Sequence, residues 1–265
     1  MSEETLRQLV AAHRGVFDGL RDAVDGLDAS GWATETGCPG WDVHDQIAHV
    51  IGVERTMLGD APDEVELPDL PHIKNDFGKV VEVAIQARRG VSAEDLLQEA
   101  DEVFARRLAV LEGLEPAALQ EPMDGAAGLR LKGSQMLRLR VFDMVCHEHD
   151  IRRALGREGD TQGPHVDVSV EQVLRGWARA LPPGVESGIL EVVVADGPTA
   201  RLDLADGTLH RDGEGPDPTA TCHLDVGELL AIAAGRSDAP DPSQLRIDGD
   251  RDWVARALAG AAITP

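Results

Sequence analysis

The spacing of hydrophobic residues divides the chain into two stretches. Up to about residue 160, apolar positions recur every three to four residues, the period of an amphipathic helix. The segment 59–72 is rich in Pro and acidic residues and predicts an exposed loop, and 115–128 predicts a second connection. This stretch is therefore predicted to be an all-α bundle of four to five helices, at 3–27, 41–58, 75–89, 92–113 and 133–155.

The pattern changes after about residue 162. A helical segment at 168–181 is followed by short alternating or β-branched runs that end in Gly or Asp, which predict strands, with helices at 225–235 and 250–260 among them. We predict two domains: an N-terminal all-α four-helix bundle at 1–162 and an α+β domain with a mostly antiparallel sheet at 163–265. The predicted strands are ILEVVVAD, ARLDLAD, TLHRDG, ATCHLD and QLRIDG.

The helix predicted at 133–155 carries ionisable residues on its apolar side. Burying such groups alone is costly, so they must be paired, metal-bound or neutral. The residues that fall within the apolar arc are Arg140, Asp143, His147 and Asp150. The opposite arc is predicted to be solvated and holds Arg138, Glu148, His149, Arg152 and Arg153.

The spacing of Asp143 and His147 is suited to a metal site. Residues at i and i+4 share one helical face, so the two side chains can supply two ligands. His49, at the edge of the apolar arc of another helix, would complete a three-ligand site with an open position, as catalytic zinc requires. The alternative is a buried ion network in which Arg140 neutralises Asp143. Asp150 could accept the second ring N–H of His147 or form a salt bridge to an arginine of its own helix.

The helix at 41–58 is predicted to begin with Asp42 as its N-cap. His44 projects away from the apolar arc and is interpreted as a surface histidine. Asp45 lies one turn before His49 and could bond to its ring, although a surface carboxylate is the simpler interpretation.

Cysteines and one arginine pair offer further candidates. Cys146 is interpreted as a small hydrophobe of the core. Cys38, in GCPG beside a helix start, could have a lowered pKa, but a structural role in the turn is favoured. Arg88 and Arg89 end a helix near a loop and could bind an acidic substrate, although solvation is the simpler interpretation.

Composition narrows the class of partner. The formal charge of -23 argues against binding to nucleic acid or anionic membranes, which need a basic face. No run approaches the ~20 apolar residues of a membrane span, and MSEETLRQLV has no features of a signal peptide. The three cysteines are widely spaced and fit a reducing cytoplasm. A small-molecule substrate is therefore expected.

No G-x-S-x-G, P-loop or G-x-G-x-x-G motif supports serine-hydrolase, NTPase or dinucleotide chemistry.

Three segments together resemble the maleylpyruvate isomerase family of mycothiol-dependent enzymes. They are CPGWDVHDQIAHV (38–50), RVFDMVCHEHDIRRALGREG (140–159), and a tail with TCHLDVGELLAIAAGR followed by LRIDGD. The resemblance covers essentially the whole chain. It implies a DinB-like four-helix bundle followed by a sterol-carrier-protein-like α/β domain. Its motifs are more specific for the family than for one reaction.

The resemblance also implies a site and its cofactors. A divalent metal, zinc in the characterised isomerase, is held there by residues that match His49, Asp143 and His147, with Glu in the family at the position of Asp143. The implied cosubstrate is mycothiol, bound as a thiolate that stays nucleophilic at neutral pH. The second domain is expected to close over the metal and supply an anion-binding arginine, for which the candidates are Arg201, Arg236 and Arg246.

Three functions remain open at this point. The first is a metal- and thiol-dependent enzyme that isomerises a maleylpyruvate-like double bond or transfers the thiol to a small electrophile. The second is a non-catalytic protein with a vestigial metal site, whose α/β domain holds an apolar ligand. The third is a metal-dependent hydrolase in which zinc activates water, although no second carboxylate stands out as its base.

Overall fold

The chain forms two compact units, one ending at His165 and the other beginning at Val166. The computed structural model describes residues 2–180, 187–241 and 243–264. The first unit is helical and the second combines helices with a mostly antiparallel sheet, which confirms the predicted fold class. Within these described ranges, no helix has the length and apolarity needed to cross a membrane.

The long helices of the first unit form where the hydrophobic period predicts them. Asp42 is the N-cap of α3 and accepts the backbone N–H of Asp45, and Ser92 caps α5 by accepting that of Asp95. Polar caps rather than apolar positions fix these boundaries. The helices are α1 (Glu3–Ala23), α2 (Ala29–Trp32), α3 (Val43–Met57), α4 (Asp76–Gln86), α5 (Ala93–Glu112) and α6 (Gly133–Ala154).

Two short elements of this unit are absent from the sequence prediction. One is α2, and the other is an antiparallel hairpin of β1 (Pro122–Asp124) and β2 (Arg130–Lys132), which lies in the connection before α6. Each of these elements has only three or four residues. That length is too short to show a helical or alternating period.

Part of the α6 arc that was predicted to be solvated is buried. Glu148 is fully buried and His149 nearly so, because α1 packs against this side of α6, whereas Arg138, Arg152 and Arg153 are partly exposed. Arg152 forms ion pairs with Glu148 and with Asp22 of α1, the latter at 2.9 Å, and His149 Nε2 bonds to the carbonyl of Asp160 at 2.9 Å. The prediction was wrong for Glu148 and His149, because polar groups can be buried when other segments pair with them.

This burial changes the protonation of two groups on α6. Burial and the nearby charge of Asp160 raise the pKa of Glu148 to about 7, although Arg152 opposes the shift. Burial lowers the pKa of His149 to about 4. At neutral pH His149 is therefore uncharged, whereas the pKa of Glu148 lies close to the pH of the solution, and both shifts are the usual response of ionisable groups in an apolar interior.

Two residues predicted to be exposed are covered by neighbouring segments. His44 is half-buried, and its Nε2 bonds to the carbonyl of Val91 at 3.1 Å. Arg88 is 3% exposed and bonds to Glu99 at 2.7 Å and to Asp63 at 2.8 Å. The loop that carries Asp63 therefore uses Arg88 as an internal ion-pair partner, and solvation was the wrong interpretation for this side chain.

The second unit is built around one sheet. Its strands lie in the order β5-β4-β3-β6-β7, and only the β3–β6 pair is parallel. Trp177 of α7 is fully buried and donates to the carbonyl of Ala261 at 2.7 Å. The elements are α7 (Pro164–Ala180), α8 (Val226–Ala233), α9 (Arg251–Leu258), β3 (Ile189–Val194), β4 (Thr199–Asp203), β5 (Thr208–Arg211), β6 (Ala220–Leu224) and β7 (Arg246–Gly249). The last residue of the helix predicted at 168–181 lies outside the described residues.

Candidate metal centre

Helices α3 and α6 bring the three predicted ligands together. His49 Nε2 lies 3.3 Å from Asp143 Oδ2, and His147 Nε2 lies 3.7 Å from the same oxygen. The two imidazole rings have centroids 4.5 Å apart. One donor atom from each residue lies within 4.8 Å of the others, and both histidines are buried. The arrangement has the donor types of a divalent-metal site with three protein ligands.

Gln46 determines which nitrogen of His147 faces this cluster. Its Oε1 lies 2.5 Å from His147 Nδ1, and its amide nitrogen donates to Thr36 Oγ1 at 2.7 Å, which orients the amide. Because Oε1 can only accept, Nδ1 carries a proton, which leaves Nε2 as the ring nitrogen that can bind a metal. Nε2 faces the Asp143 carboxylate at 3.7 Å. A divalent cation would bind between these two groups in place of a proton.

Asp150 does not take the hydrogen-bonding role that the sequence suggested. Its Oδ2 lies 3.8 Å from His147 Nδ1, beyond hydrogen-bond distance, and Gln46 occupies that position instead. Asp150 accepts a bond from the Cys38 thiol at 3.5 Å and lies 3.7 Å from Arg153. Gln46 is fully buried on α3, one turn before His49, so a polar residue at an apolar register position was the available signal.

Asp143 also belongs to a buried ion network. Arg140 donates to Asp143 Oδ2 at 2.5 Å and to Glu54 at 2.9 Å, and Arg107 donates to the other oxygen of Glu54 at 2.9 Å. Burial raises the pKa of Asp143, but the charge of Arg140 and the interactions with His147 and His49 outweigh this effect, so the pKa lies well below its usual range. The carboxylate is therefore ionised, as a metal ligand must be. The Arg140 contact predicted as the alternative is present as well.

Trp41 covers one side of the histidine pair. Its ring centroid lies 5.1 Å from that of His49 and 5.9 Å from that of His147. The indole N–H donates to Glu82 at 3.0 Å, and Glu82 is almost fully buried and pairs with Arg89 at 2.7 Å. Glu82 was missed in the sequence because α4 reaches this cluster only through tertiary packing.

Asp45 has neither of the roles considered for it. It is 5% exposed and accepts two bonds from Arg89, at 3.2 and 3.1 Å. Burial raises its pKa although Arg89 opposes the shift. His49 Nδ1 is buried and has no hydrogen-bond partner within the part of the chain that the structure describes.

The two cysteines of the helical unit are both buried. Cys146 is buried in α6, as expected of a core residue, and Cys38 is buried in the turn before α3.

In the second unit, Arg201 is paired with Glu191 at 2.8 Å, and Arg236 donates to a backbone carbonyl at 3.1 Å. Arg246 is exposed on β7. These surroundings do not indicate which of the three arginines would bind an anion.

A helical unit with a His–Asp–His cluster, followed by an α+β unit, defines a two-domain protein with a candidate metal centre. The model of the family described as mycothiol maleylpyruvate isomerase N-terminal domain matches residues 13–152, just over half of the chain. The chain belongs to this family, and the matched region contains His49, Asp143 and His147.

Solved structures share the fold of this chain. A crystal structure of mycothiol-dependent maleylpyruvate isomerase matches with TM-score 0.58 and 15% identity over 92% of both chains, and a mutant of that enzyme matches equally well at 14%. At such identity the likeness shows the fold. A sterol carrier protein 2 like structure from Aedes aegypti covers 36% of this chain and 97% of its own at 21% identity, with a TM-score of 0.29, on which no argument rests.

Two curated proteins of Mycobacterium tuberculosis, the uncharacterized proteins MT0041 and Rv0036c, are each 29% identical over 153 residues. The match covers 56% of this chain and 56% of each relative. The chain thus spans about half the length of the curated relatives it matches.

Proposed function

We propose that the helical unit binds one divalent cation, zinc by preference, through His49, Asp143 and His147, and acts with a low-molecular-weight thiol on a small electrophilic substrate. Mycothiol is the proposed thiol, and a maleylpyruvate-like cis double bond is the proposed target for isomerisation. Transfer of the thiol to an electrophile is the second reaction that this site can support. Membership of the mycothiol maleylpyruvate isomerase N-terminal domain family supports both cosubstrate and reaction class.

One observation carries the proposal. His147 Nε2 and Asp143 Oδ2 face one another at 3.7 Å, while Gln46 Oε1 accepts from the other ring nitrogen of His147. His49 Nε2 converges on the same oxygen at 3.3 Å. Two imidazoles and one carboxylate are a donor set that zinc accepts, and three protein ligands leave a coordination position for a substrate atom.

Each residue of the site has a separate task. A bound divalent cation supplies a positive charge that keeps a thiol deprotonated and nucleophilic at neutral pH. Gln46 fixes the tautomer of His147, so that its lone pair points into the site. Arg140 orients the Asp143 carboxylate through one oxygen. Trp41 shields the histidine rings from water on one side.

The first experiment measures metal content by elemental analysis of protein purified without chelators. Wild-type protein is expected to hold about one divalent ion per chain. His49→Ala, Asp143→Ala and His147→Ala should hold much less. His44→Ala is the matched control, because this half-buried histidine lies on the same helix as His49 and outside the cluster. Metal-free wild-type protein that takes up no ion on titration would overturn the proposal and favour the Arg140–Asp143 network alone.

The second experiment measures isomerisation of maleylpyruvate with and without mycothiol. Activity should require the thiol and should be lost in His49→Ala but not in His44→Ala. An active His49→Ala enzyme would contradict the proposed site. Metal binding without isomerisation, but with consumption of the thiol on an electrophile, would select S-transfer instead.

A further inference from the structure

A second set of donor atoms surrounds the other nitrogen of His147. Cys38 Sγ lies 3.5 Å from Asp150 Oδ2, and the same oxygen lies 3.8 Å from His147 Nδ1. One donor atom from each of these residues lies within 4.8 Å of the others, and all three side chains are buried. Sulfur, imidazole nitrogen and carboxylate oxygen thus converge from the turn before α3 and from α6.

The turn that carries Cys38 is fixed by its own hydrogen bonds. The N–H of Trp41 donates to the carbonyl of Cys38 at 3.1 Å, and the N–H of Cys38 donates to Thr36 Oγ1 at 3.3 Å. Gly40 has φ +82°, and a Cβ there would lie 2.4 Å from His72 Nδ1, so this position requires glycine. The thiol is therefore held in place before any ligand arrives, which lowers the cost of binding.

We propose that Cys38, Asp150 and His147 form a second binding site, for a soft divalent cation such as Cd²⁺. Thiolate sulfur favours soft cations, and imidazole and carboxylate complete the donor set. On binding, the S–H bond of Cys38 and the Nδ1–H bond of His147 break, and sulfur–metal and nitrogen–metal bonds form. The thiol proton is released to solvent, and the imidazole stays neutral with its remaining proton on Nε2.

The two donor sets compete for His147. A neutral imidazole has one lone pair, so the ring can serve the His49–Asp143 set through Nε2 or the Cys38–Asp150 set through Nδ1, but not both. Binding at the second set also requires Gln46 Oε1 to give up its 2.5 Å contact with Nδ1. One chain therefore holds one ion at a time, and a thiophilic ion is drawn to the cysteine. The Cys38 set stands without the proposed function, whereas the competition rests on it.

The test is a titration of the full-length protein with Cd²⁺, followed by the ultraviolet charge-transfer absorption of a cadmium–thiolate bond. Wild-type protein should develop this absorption up to one equivalent. Cys38→Ser should not develop it, whereas Cys146→Ser, which removes a buried thiol next to His147 in sequence, should match the wild type. His49→Gln should also keep the absorption, because it alters only the first set.

Three further measurements test the second site: an Asp150 variant, a folding control and a competition between two metals. Asp150→Asn should weaken Cd²⁺ binding at least about tenfold, and circular dichroism establishes that each variant is folded. No absorption in the wild type, or equal absorption in Cys38→Ser, would overturn the second site. After saturation with Zn²⁺ and Cd²⁺ together, elemental analysis should find one ion per chain, and two ions would overturn the competition. If metal content proves independent of His49 while the absorption depends on Cys38, the proposed function fails and the second site stands.

Discussion

At the scale of single residues, the Asp143 side chain contacts both Arg140 and the two histidines. Its Oδ2 accepts from Arg140 at 2.5 Å and lies 3.3 and 3.7 Å from the imidazole nitrogens of His49 and His147. A carboxylate has about four lone-pair directions, so an arginine and a metal can share it. Arg140 is therefore compatible with a ligand role for Asp143.

Two substitutions at position 143 distinguish the effect of the negative charge on metal binding from the effect of side-chain length. Asp143→Asn removes the anionic ligand and should weaken Zn²⁺ binding at least about tenfold, since even groups that only support ligands cost about 10- to 100-fold. Asp143→Glu keeps the carboxylate on a side chain one methylene longer, the residue that the family resemblance implies here, and should stay within about tenfold of wild type. Calorimetric titration with Zn²⁺ measures both, with the exposed Asp124→Asn as control. Equal affinities of Asp143→Asn and wild type would remove Asp143 from the site.

Glu54 has the largest expected effect on stability among the charged residues of this network. It is fully buried and accepts bonds from Arg107 and Arg140, both at 2.9 Å. Glu54→Ala leaves two guanidinium groups buried without this partner, so the free energy of unfolding should fall by about 3–5 kcal/mol. Urea denaturation measures the change. Glu3→Ala breaks an exposed pair with Arg7 and should change it by less than about 1 kcal/mol. Similar small effects in both variants would contradict the buried network.

At the scale of elements, the site depends on how closely α4 approaches α3. A Cβ at Gly52 of α3 would lie 2.3 Å from the Cβ of Ala84 on α4. Glycine therefore permits this contact between the two helices. Because α4 carries Glu82, which holds the Trp41 indole, this close approach also positions the ring that covers His49.

Gly52→Ala tests that approach. The added methyl group collides with Ala84, so the variant should lose about 1–3 kcal/mol of unfolding free energy, in spite of the better helix propensity of Ala. Gly90→Ala adds a methyl group with no atom within 4 Å and should stay within about 1 kcal/mol of wild type. Chemical denaturation compares the two. If Gly52→Ala were as stable as Gly90→Ala, the two helices would have room to separate without cost.

Stability of the whole molecule should depend on the protonation of buried histidines. His13 is fully buried, its Nδ1–H donates to the carbonyl of Leu9 at 2.8 Å, and burial lowers its pKa from 6.5 to about 4. Between these values the unfolded chain binds a proton that the folded chain does not. The contribution of His13 is therefore fully present above pH 6.5 and is lost as the pH falls toward 4.

The change in the pKa of His13 sets how strongly the free energy of unfolding depends on pH. Between pH 6.5 and 4, His13 should reduce the free energy of unfolding by on the order of 2 to 3 kcal/mol. His13→Asn supplies an amide N–H near Nδ1 and does not titrate in this range, so its stability should fall less steeply with decreasing pH. Urea denaturation at several pH values gives the difference profile. Parallel profiles of wild type and His13→Asn would show that His13 titrates alike in both states.

The sequence predicted the candidate metal ligands better than the residues around them. His49, Asp143 and His147 were predicted from helical spacing and from the family resemblance, and the structure brings them within 4.8 Å. Gln46, Glu54 and Glu82 were missed, and Glu148 was placed in solvent although it is fully buried. Periodicity reports which residues share a helical face, but it does not report which other helix packs against a polar face.

The sequence by itself determined the longer elements and the two-part fold, because apolar period, caps and turn residues act over a few neighbouring positions. It also determined which donor atoms were available on α3 and α6. Only the tertiary structure decided how those atoms are used. Packing of α1 buried Glu148 and His149 of α6, and packing of α3 placed Gln46 against His147 Nδ1 and turned Nε2 toward Asp143. Hydrogen bonds and ion pairs between distant segments depend on distances that no local pattern encodes.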